Sequence, residues 1–495
     1  MASDQLTASA AATPAVTEGT RIAARNAAVV AAAEIAGKVA TLAFMVAAAR
    51  ILGRSGFGAF SFALSFSLLA ATLPSFGFAA LLTQRASAEP ARLPQLLSEI
   101  LVWRTAIAVP VFAGAAVAGL ALMPGGGSTT AFLLVLLASF VDIYTDAGRA
   151  AAGARQDLRG VSVALVVQRF VTAGLALFAL LAGFGLVGLA ATYLAGTAVG
   201  TLGVAVSLRR LGVTVDMRSI RRDTMLATGR MSIAIGIDTV VAMALFRIDQ
   251  VMLGALKGQA AVGVYAAAYR LLETVLFLSW SLARAVYPMM SADAERSRVR
   301  RGLEQAVAAV ALIYVPFGVA LWIDAGPILR VLYGASYAAG GTSVVRWLAA
   351  APLVFGVGFL GNFALLARRR RWEVAAASSV AAAYNVGMNF VLIPHLSGTG
   401  AAIVTTTSYA LEAVVILGLL VRDIGWPRLD RAVALPVAAA ALMGAFLVVS
   451  PFGPLVELPT GAVLYGGAWF LLARWRAPEH LAVIASVVPG RRRET

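Results

Sequence analysis

The chain has 495 residues, 60% of them hydrophobic, and a mean hydropathy of +0.86, well above the range of a soluble domain. It has no cysteine, which excludes disulfides, thiolate nucleophiles and Cys-based zinc or iron–sulfur sites. Neither histidine, His395 or His480, has a neighbouring ligand set, so no metal and no cofactor are expected, and the formal net charge of +16 comes with no nucleic-acid-binding tract.

Residues 1–24 are polar and Ala-rich, lack the basic start and apolar run of a signal peptide, and are expected to form a disordered cytoplasmic tail. A helix rises 1.5 Å per residue and the hydrocarbon core is about 30 Å thick, so roughly 20 apolar residues span it. Six such stretches begin near Arg25, Gly58, Glu99, Thr129, Val161 and Leu186 and give a first lobe over 25–207. The longest and most basic connection, 208–230, reads as an interlobe linker. Six more stretches begin near Met231, Val262, Gly302, Ser343, Val374 and Gly398 and give a second lobe over 231–421. A last pair, beginning near Ala432 and Thr460, occupies 432–476, and 477–495 forms a second tail. The longest connection on the outer side runs from about Ala325 to Thr342.

The positive charges test this count. Of the 40 basic residues, 29 fall in one alternate set of connections, four (Arg50, Arg54, Lys257 and Arg330) in the opposite set, and seven inside spans. By the positive-inside rule the first set is cytoplasmic, both termini lie inside and the number of spans is even, whereas one miscounted helix would have mixed the sets. The chain is therefore expected to be an all-α polytopic membrane protein of about 14 transmembrane helices.

An internal repeat supports the division into lobes. The first hairpin carries Leu52-Gly53 and then Phe57-Gly58-Ala59-Phe60, and the seventh and eighth spans carry Leu253-Gly254 and then Val262-Gly263-Val264-Tyr265. A repeat displaced by six helices has both copies in the same orientation, related by an axis near the membrane normal, and two such lobes enclose a central cavity.

The stretch Phe246-Arg247-Ile248-Asp249-Gln250-Val251-Met252-Leu253-Gly254, followed by Ala261 to Arg270 and ending at Tyr287-Pro288, resembles the polysaccharide-transport flippases of the multidrug/oligosaccharidyl-lipid/polysaccharide flippase superfamily. Arg50-Ile51-Leu52-Gly53 and Phe57-Gly58 look like the same family's opening motif. The resemblance implies two six-helix lobes plus an extra helix pair, alternating access, and a polyprenyl-diphosphate-linked glycan as cargo in a bacterial plasma membrane. It also implies membrane lipids and a polysaccharide polymerase or glycosyltransferases as neighbours. The chain departs from the lipid II branch in having only Lys38 deep in its first span.

A charge at bilayer depth costs about 2.5–3.5 kcal/mol on insertion scales, so it faces protein or a wet cavity and marks a pathway. The basic candidates are Lys38, Arg104, Arg169, Arg247, Arg270, Arg284 and Arg346. Arg104, Arg169 and Arg346 lie close enough to span ends to snorkel. Lys38, Arg270 and Arg284 are candidates for a diphosphate, whose oxygens suit guanidinium forks. Arg247, on the opposite side of its helix from Asp249, reads as a gate or interface residue.

Tyr269, Glu273, Trp280 and Arg284 lie within about 40° on the eighth span, offering aromatic surface to sugar rings beside a carboxylate and a guanidinium, or else packing against a neighbouring helix. Ion coupling is assigned to Glu34, Asp249, Glu273, Asp142 and Asp146. Glu34 and Lys38, four residues apart, form an ion pair or exchange partners when phosphate arrives; Asp142 and Asp146 share a proton, or Arg149 clamps Asp146.

Two GxGxxG matches, at Gly183 and Gly356, follow no strand and do not bind nucleotide, and no phosphate-loop motif occurs. No enzyme site is expected. Three other functions stay open: an ion-coupled multidrug antiporter of the same superfamily, a lipid II flippase, and a non-transporting scaffold of a polysaccharide synthesis complex.

Overall fold

The computed structural model describes residues 3–123, 125–291 and 295–476 and, within these, the side chains of 36, 37, 39–233, 236, 237 and 239–475. Among the described residues the elements are all helical. In chain order they are α1 (Ser3–Ser75), α2 (Phe78–Ala88), α3 (Leu93–Leu122), α4 (Gly126–Ala154), α5 (Arg159–Leu181), α6 (Gly185–Arg210), α7 (Arg222–Lys257) and α8 (Gln259–Ser291). There follow α9 (Arg296–Ile323), α10 (Ala325–Tyr333), α11 (Ala335–Leu348), α12 (Ala351–Ala367), α13 (Arg371–Ile424), α14 (Leu429–Val449) and α15 (Pro454–Arg476).

Among the described residues, twelve helical stretches are long and apolar enough to cross a membrane. Two of them are doubled. A straight helix of the 54 residues of α13 would run roughly 80 Å, more than twice the apolar thickness of a bilayer. It is broken at Ser397 (φ 51°, ψ −132°), three residues after Pro394. Likewise α1 is broken at Gly53 (φ 67°, ψ −177°), where the absence of a Cβ makes that geometry accessible. Counting both halves of each gives fourteen segments among the described residues, the number of apolar stretches expected from the sequence and an even number, as the arginine alternation requires.

The structure corrects three local expectations. Helix α1 begins at Ser3, so residues 3–24 are helical and not a disordered tail; the Ala-rich composition favours this, Ala being the best helix former. Helix α7 begins at Arg222 and takes in the last part of the expected linker, leaving residues 211–221 to cross between α6 and α7 with one short helical turn at Met217–Ser219. The outer connection is helical too: Ala325, Leu329 and Tyr333 recur every four residues on the buried side of α10, which makes it an amphipathic helix rather than a loop. The tail 477–495 lies outside the described residues.

The chain divides into two compact units, Met1–Ile51 with Leu73–Gly236, and Leu52–Thr72 with Ile237–Thr495. In the first, α2, α3 and α4 pack around Phe78, Leu82, Leu93, Ile100 and Ala147. Small residues let backbones approach where hydrophobic exclusion of water offers no drive. A Cβ on Gly148 would meet Val204 of α6 at 2.5 Å, and one on Gly200 would overlap Gln168 of α5. The basic connection is fastened to α3 by buried polar contacts. Glu99 accepts hydrogen bonds from Thr224 (2.6 Å), Thr228 (2.7 Å) and Gln95 (2.9 Å), Trp103 Nε1 donates to the Met225 carbonyl (2.9 Å), and Ser98 accepts from the Asp216 amide (2.8 Å).

In the second unit, α8, α9, α12 and α13 share a core that includes Leu303, Val307, Tyr314, Leu365 and Ile416. Helices α14 and α15 pack on α9 through Val315, Ala440, Met443, Leu447 and Tyr465, whose hydroxyl donates to the Leu312 carbonyl at 2.7 Å. The segment 52–72 belongs here, with Phe57, Phe60 and Phe62 buried.

Candidate functional site

Most of the expected polar side chains with described positions converge on α7, α8 and α13 of the second unit. Glu273 of α8 is the hub: Arg247 of α7 meets one carboxylate oxygen at 2.7 Å and Arg270 of α8 the other at 2.7 Å. These side chains are 16–21% exposed. Arg270 and Glu273 are three residues apart on one helix face, while Arg247 reaches across the α7–α8 contact and lies 6.0 Å from the centroid of the Tyr269 ring. Two guanidiniums on one carboxylate leave one net positive charge, and the forked geometry can transfer to another oxyanion. Arg247 thus bridges α7 and α8.

On the other side of α7, Asp249 is fully buried. It accepts hydrogen bonds from the Tyr265 hydroxyl, the Thr405 hydroxyl (3.1 Å) and the Gln250 amide (2.7 Å), and Ser65 donates to the Gln250 side chain at 2.8 Å. Among the described residues no cation lies at ion-pair distance from it. A buried carboxyl held only by neutral donors can take up a proton or small cation without breaking a salt bridge.

The face of α8 divides in a way that helical angles do not reveal. Tyr269 is buried, its hydroxyl 3.3 Å from that of Tyr409, so it offers no surface to a sugar. Trp280 is 45% exposed and lies against Phe359 of α12 in a stacked pair, with centroids 5.7 Å apart and planes at 17°. Phe359 continues to Phe363 (5.2 Å) and Phe363 to Tyr287 (5.6 Å), forming an aromatic ladder beside the exposed Arg284.

Other expected residues are placed elsewhere. Arg104 does not snorkel: it is fully buried and donates to the Ile143 carbonyl and to Asp146 at 2.8 Å. Arg149 takes the other Asp146 oxygen at 2.7 Å, so Asp146 is clamped by two arginines while Asp142 remains exposed. The proton-sharing reading of Asp142 and Asp146 therefore gives way to the clamp. Arg169 lies along α1, its Cδ 3.0 Å from where a Cβ on Gly37 would stand, whereas Arg346 reaches the Trp322 carbonyl at the end of α9 (3.2 Å). The side chains of Glu34 and Lys38 lie outside those described.

Sequence reasoning passed over Glu412 of α13, which is buried and accepts from Asn362 (3.1 Å) and Ser378 (2.7 Å). It ends a stripe of Thr405, Ser408, Tyr409 and Glu412 at one-turn intervals, with Asn385 donating to Ser408 at 3.0 Å and Asn389 to Asn385 at 2.9 Å. The signal was that spacing of polar residues along one face of the span, with Glu412 at its end.

A family profile described as "Polysaccharide biosynthesis protein" matches residues 23–292. The chain is 23% identical over 171 residues to the "Probable low-salt glycan biosynthesis flippase Agl15" of Haloferax volcanii; that stretch is 34% of this chain and spans 36% of the relative's length. The fold is similar to that of the lipid II flippase MurJ in an inward closed conformation, with a TM-score of 0.77 at 11% identity over 90% of this chain and 99% of the other. It is also similar to an inward-facing multidrug resistance MATE family transporter, with a TM-score of 0.64 at 15% identity over 84% of this chain and 96% of the other. The profile covers more than half of the sequence: the chain belongs to the polysaccharide biosynthesis protein family, as an all-helical multi-pass membrane protein with the fold of the MurJ and MATE transporters.

Proposed function

We propose that the chain is a flippase that carries a polyprenyl-diphosphate-linked oligosaccharide from the inner to the outer leaflet of a bacterial plasma membrane by alternating access. The observation that carries this reading is the Arg247–Glu273–Arg270 cluster, a net cation at membrane depth on the helices that hold the family motif. An arriving diphosphate competes with Glu273 for the two guanidiniums, and Arg284 supplies a further cation along the same face of α8. Sugar rings stack on Trp280 and the ladder of Phe359 and Phe363, while the lipid tail stays in the bilayer. Asp249 takes and releases the coupling ion.

The family profile, the Haloferax relative and the arginine asymmetry, which by the positive-inside rule favours both termini inside, support this reading. Depleting the protein should make a lipid-linked sugar accumulate on the cytoplasmic leaflet, and Arg247→Ala with Arg270→Ala should reproduce that while the protein still inserts. Normal export by the double variant would remove the cluster from the pathway.

One observation favours a multidrug antiporter of the same superfamily: the buried acid Asp249 is held by Tyr265, and the buried Glu412 follows by one turn Tyr409, which packs on Phe246 and Phe355, a combination of acids and rings suited to organic cations. Drug efflux by the purified protein in vesicles, without movement of lipid-linked sugar, would select that reading.

A further inference from the structure

The connection between α6 and α7 is held to the protein on one side only. Val213 packs among α2, α3 and α4, the Asp216 amide donates to Ser98, and Glu99 and Trp103 secure the first turns of α7. Asp216 also caps the short turn at Met217–Ser219 by accepting from the Arg218 amide at 3.1 Å. These contacts fix the backbone and leave apolar side chains on the outward side. Val215 and Met217 are 47% and 56% exposed, and Leu226, one turn into α7, is 41% exposed.

Basic side chains surround them. Residues 208–230 hold six arginines against two acids, and all six are exposed. Among the described residues none of the six forms an ion pair. Arg221 and Arg222 stand at the start of α7, the positive end of the helix dipole, where a cation is disfavoured unless an outside anion offsets it. Arg222, Leu226 and Arg230 recur every four residues, so cations and an apolar side chain share one helix face.

The segment joins two spans and therefore lies at the level of the headgroups. An anionic phospholipid offers both things this surface lacks: phosphate oxygens for the guanidinium forks, and an acyl boundary for Val215 and Met217. An acidic protein would match the charges alone, whereas the lipid is already in place at the end of every span.

We propose that residues 213–222 form a docking surface for the anionic phospholipid headgroups of the adjoining leaflet, by the positive-inside rule the cytoplasmic one. The arginines grip phosphates, Val215 and Met217 sink to the acyl boundary, and the start of α7 is fastened to the leaflet. The proposal needs only that the chain spans a bilayer and stands whatever the cargo.

Thr214 is exposed and the chain has no cysteine, so Thr214→Cys can carry a single fluorescent label on the full-length protein. The probe membranes are nanodiscs of phosphatidylcholine alone, or of phosphatidylcholine and phosphatidylglycerol at about three to one. Quenching by acrylamide, which is neutral and not repelled by the lipid charge, reads the label's exposure. The label should be quenched freely in phosphatidylcholine and shielded by phosphatidylglycerol, and salt that shortens the Debye length to about 3 Å should expose it again. Neutralising arginines should weaken the shielding by roughly fivefold each, so Arg218→Gln with Arg221→Gln and Arg222→Gln should abolish it. Val215→Ser with Met217→Ser should remove most of it. Arg155→Gln with Arg159→Gln, which takes charge from the α4–α5 connection instead, should leave it intact. All these side chains are exposed, so each variant should melt with the parent. Equal quenching in the two membranes, shielding that survives either set of changes in 213–222, or its loss in the Arg155 and Arg159 variant overturns the proposal.

Discussion

Gly58 and Gly263 occupy equivalent places in the two copies of the internal repeat, and each is pressed against the other copy's backbone. A Cβ on Gly58 would overlap the Gln259 carbonyl and stand 2.8 Å from the Gly263 nitrogen; one on Gly263 would overlap the Arg54 carbonyl. The repeated glycine marks a helix crossing too tight for any side chain.

Gly58→Ala and Gly263→Ala should therefore each prevent close packing of segment 52–72 on α8. Overpacking of this kind costs about 1–3 kcal/mol, and more where backbone is the obstacle. Both variants should show a lower melting temperature in detergent and a smaller monodisperse fraction. Gly466→Ala, in open space on α15, should match the parent.

Removing Glu273 leaves Arg247 and Arg270 facing one another without a counter-charge. Breaking a largely buried ion cluster in this way costs about 3–5 kcal/mol. Glu273→Ala should be strongly destabilised by thermal unfolding, and adding Arg247→Met should recover much of the loss. Equal stability of the single variant and the parent would show that the cluster is fully solvated.

Glu99 holds the basic connection to α3 with three neutral donors. Glu99→Ala leaves buried hydroxyls unsatisfied, at about 1–3 kcal/mol. Trypsin cleavage after Arg218 or Arg221 should then accelerate by roughly tenfold or more under native conditions, in proportion to the opened population. Unchanged cleavage would mean that the connection is held by Trp103 and Ser98 alone.

Ser397 adopts a backbone geometry suited to glycine. Such strain costs on the order of 1–3 kcal/mol, and the extra freedom of an unfolded glycine returns about 0.4–1 kcal/mol of it. Ser397→Gly should raise the melting temperature, and a lowered one would indicate that the serine side chain secures the break in α13.

Asp249→Asn keeps a buried polar group beside Tyr265 and Thr405 but removes the titratable one. If Asp249 carries the coupling ion, the variant should fold and lose its response to an imposed proton or sodium gradient in vesicles. A preserved gradient response would pass that role to Glu412.

The span count was legible because the positions of 29 arginines report on the bilayer and need no knowledge of packing. The breaks near Gly53 and Ser397 were legible for a related reason, since no span can run far beyond the apolar thickness. Individual side chains were less so. A helical wheel places Tyr269 and Trp280 on one face, but only the approach of α13 with Tyr409 buries the first and leaves the second open. Arg104 looked like a residue near a span end, yet a carbonyl and a carboxylate on α4 draw it inward. Glu412 was missed because its partners come from α12 and from the other half of α13, which one sequence window does not contain.

Leu52–Thr72 belongs to the unit otherwise built from Ile237 onward, so the first half of the polypeptide is synthesised holding a part of the second. Phe57 must wait for Tyr337 of α11, and Phe62 for Gly254 of α7, before they find their seats. A fragment ending within 211–221 is thus born incomplete, and the two fragments of such a split should be recovered only when made together, stitched by a strip that each needs and one alone supplies.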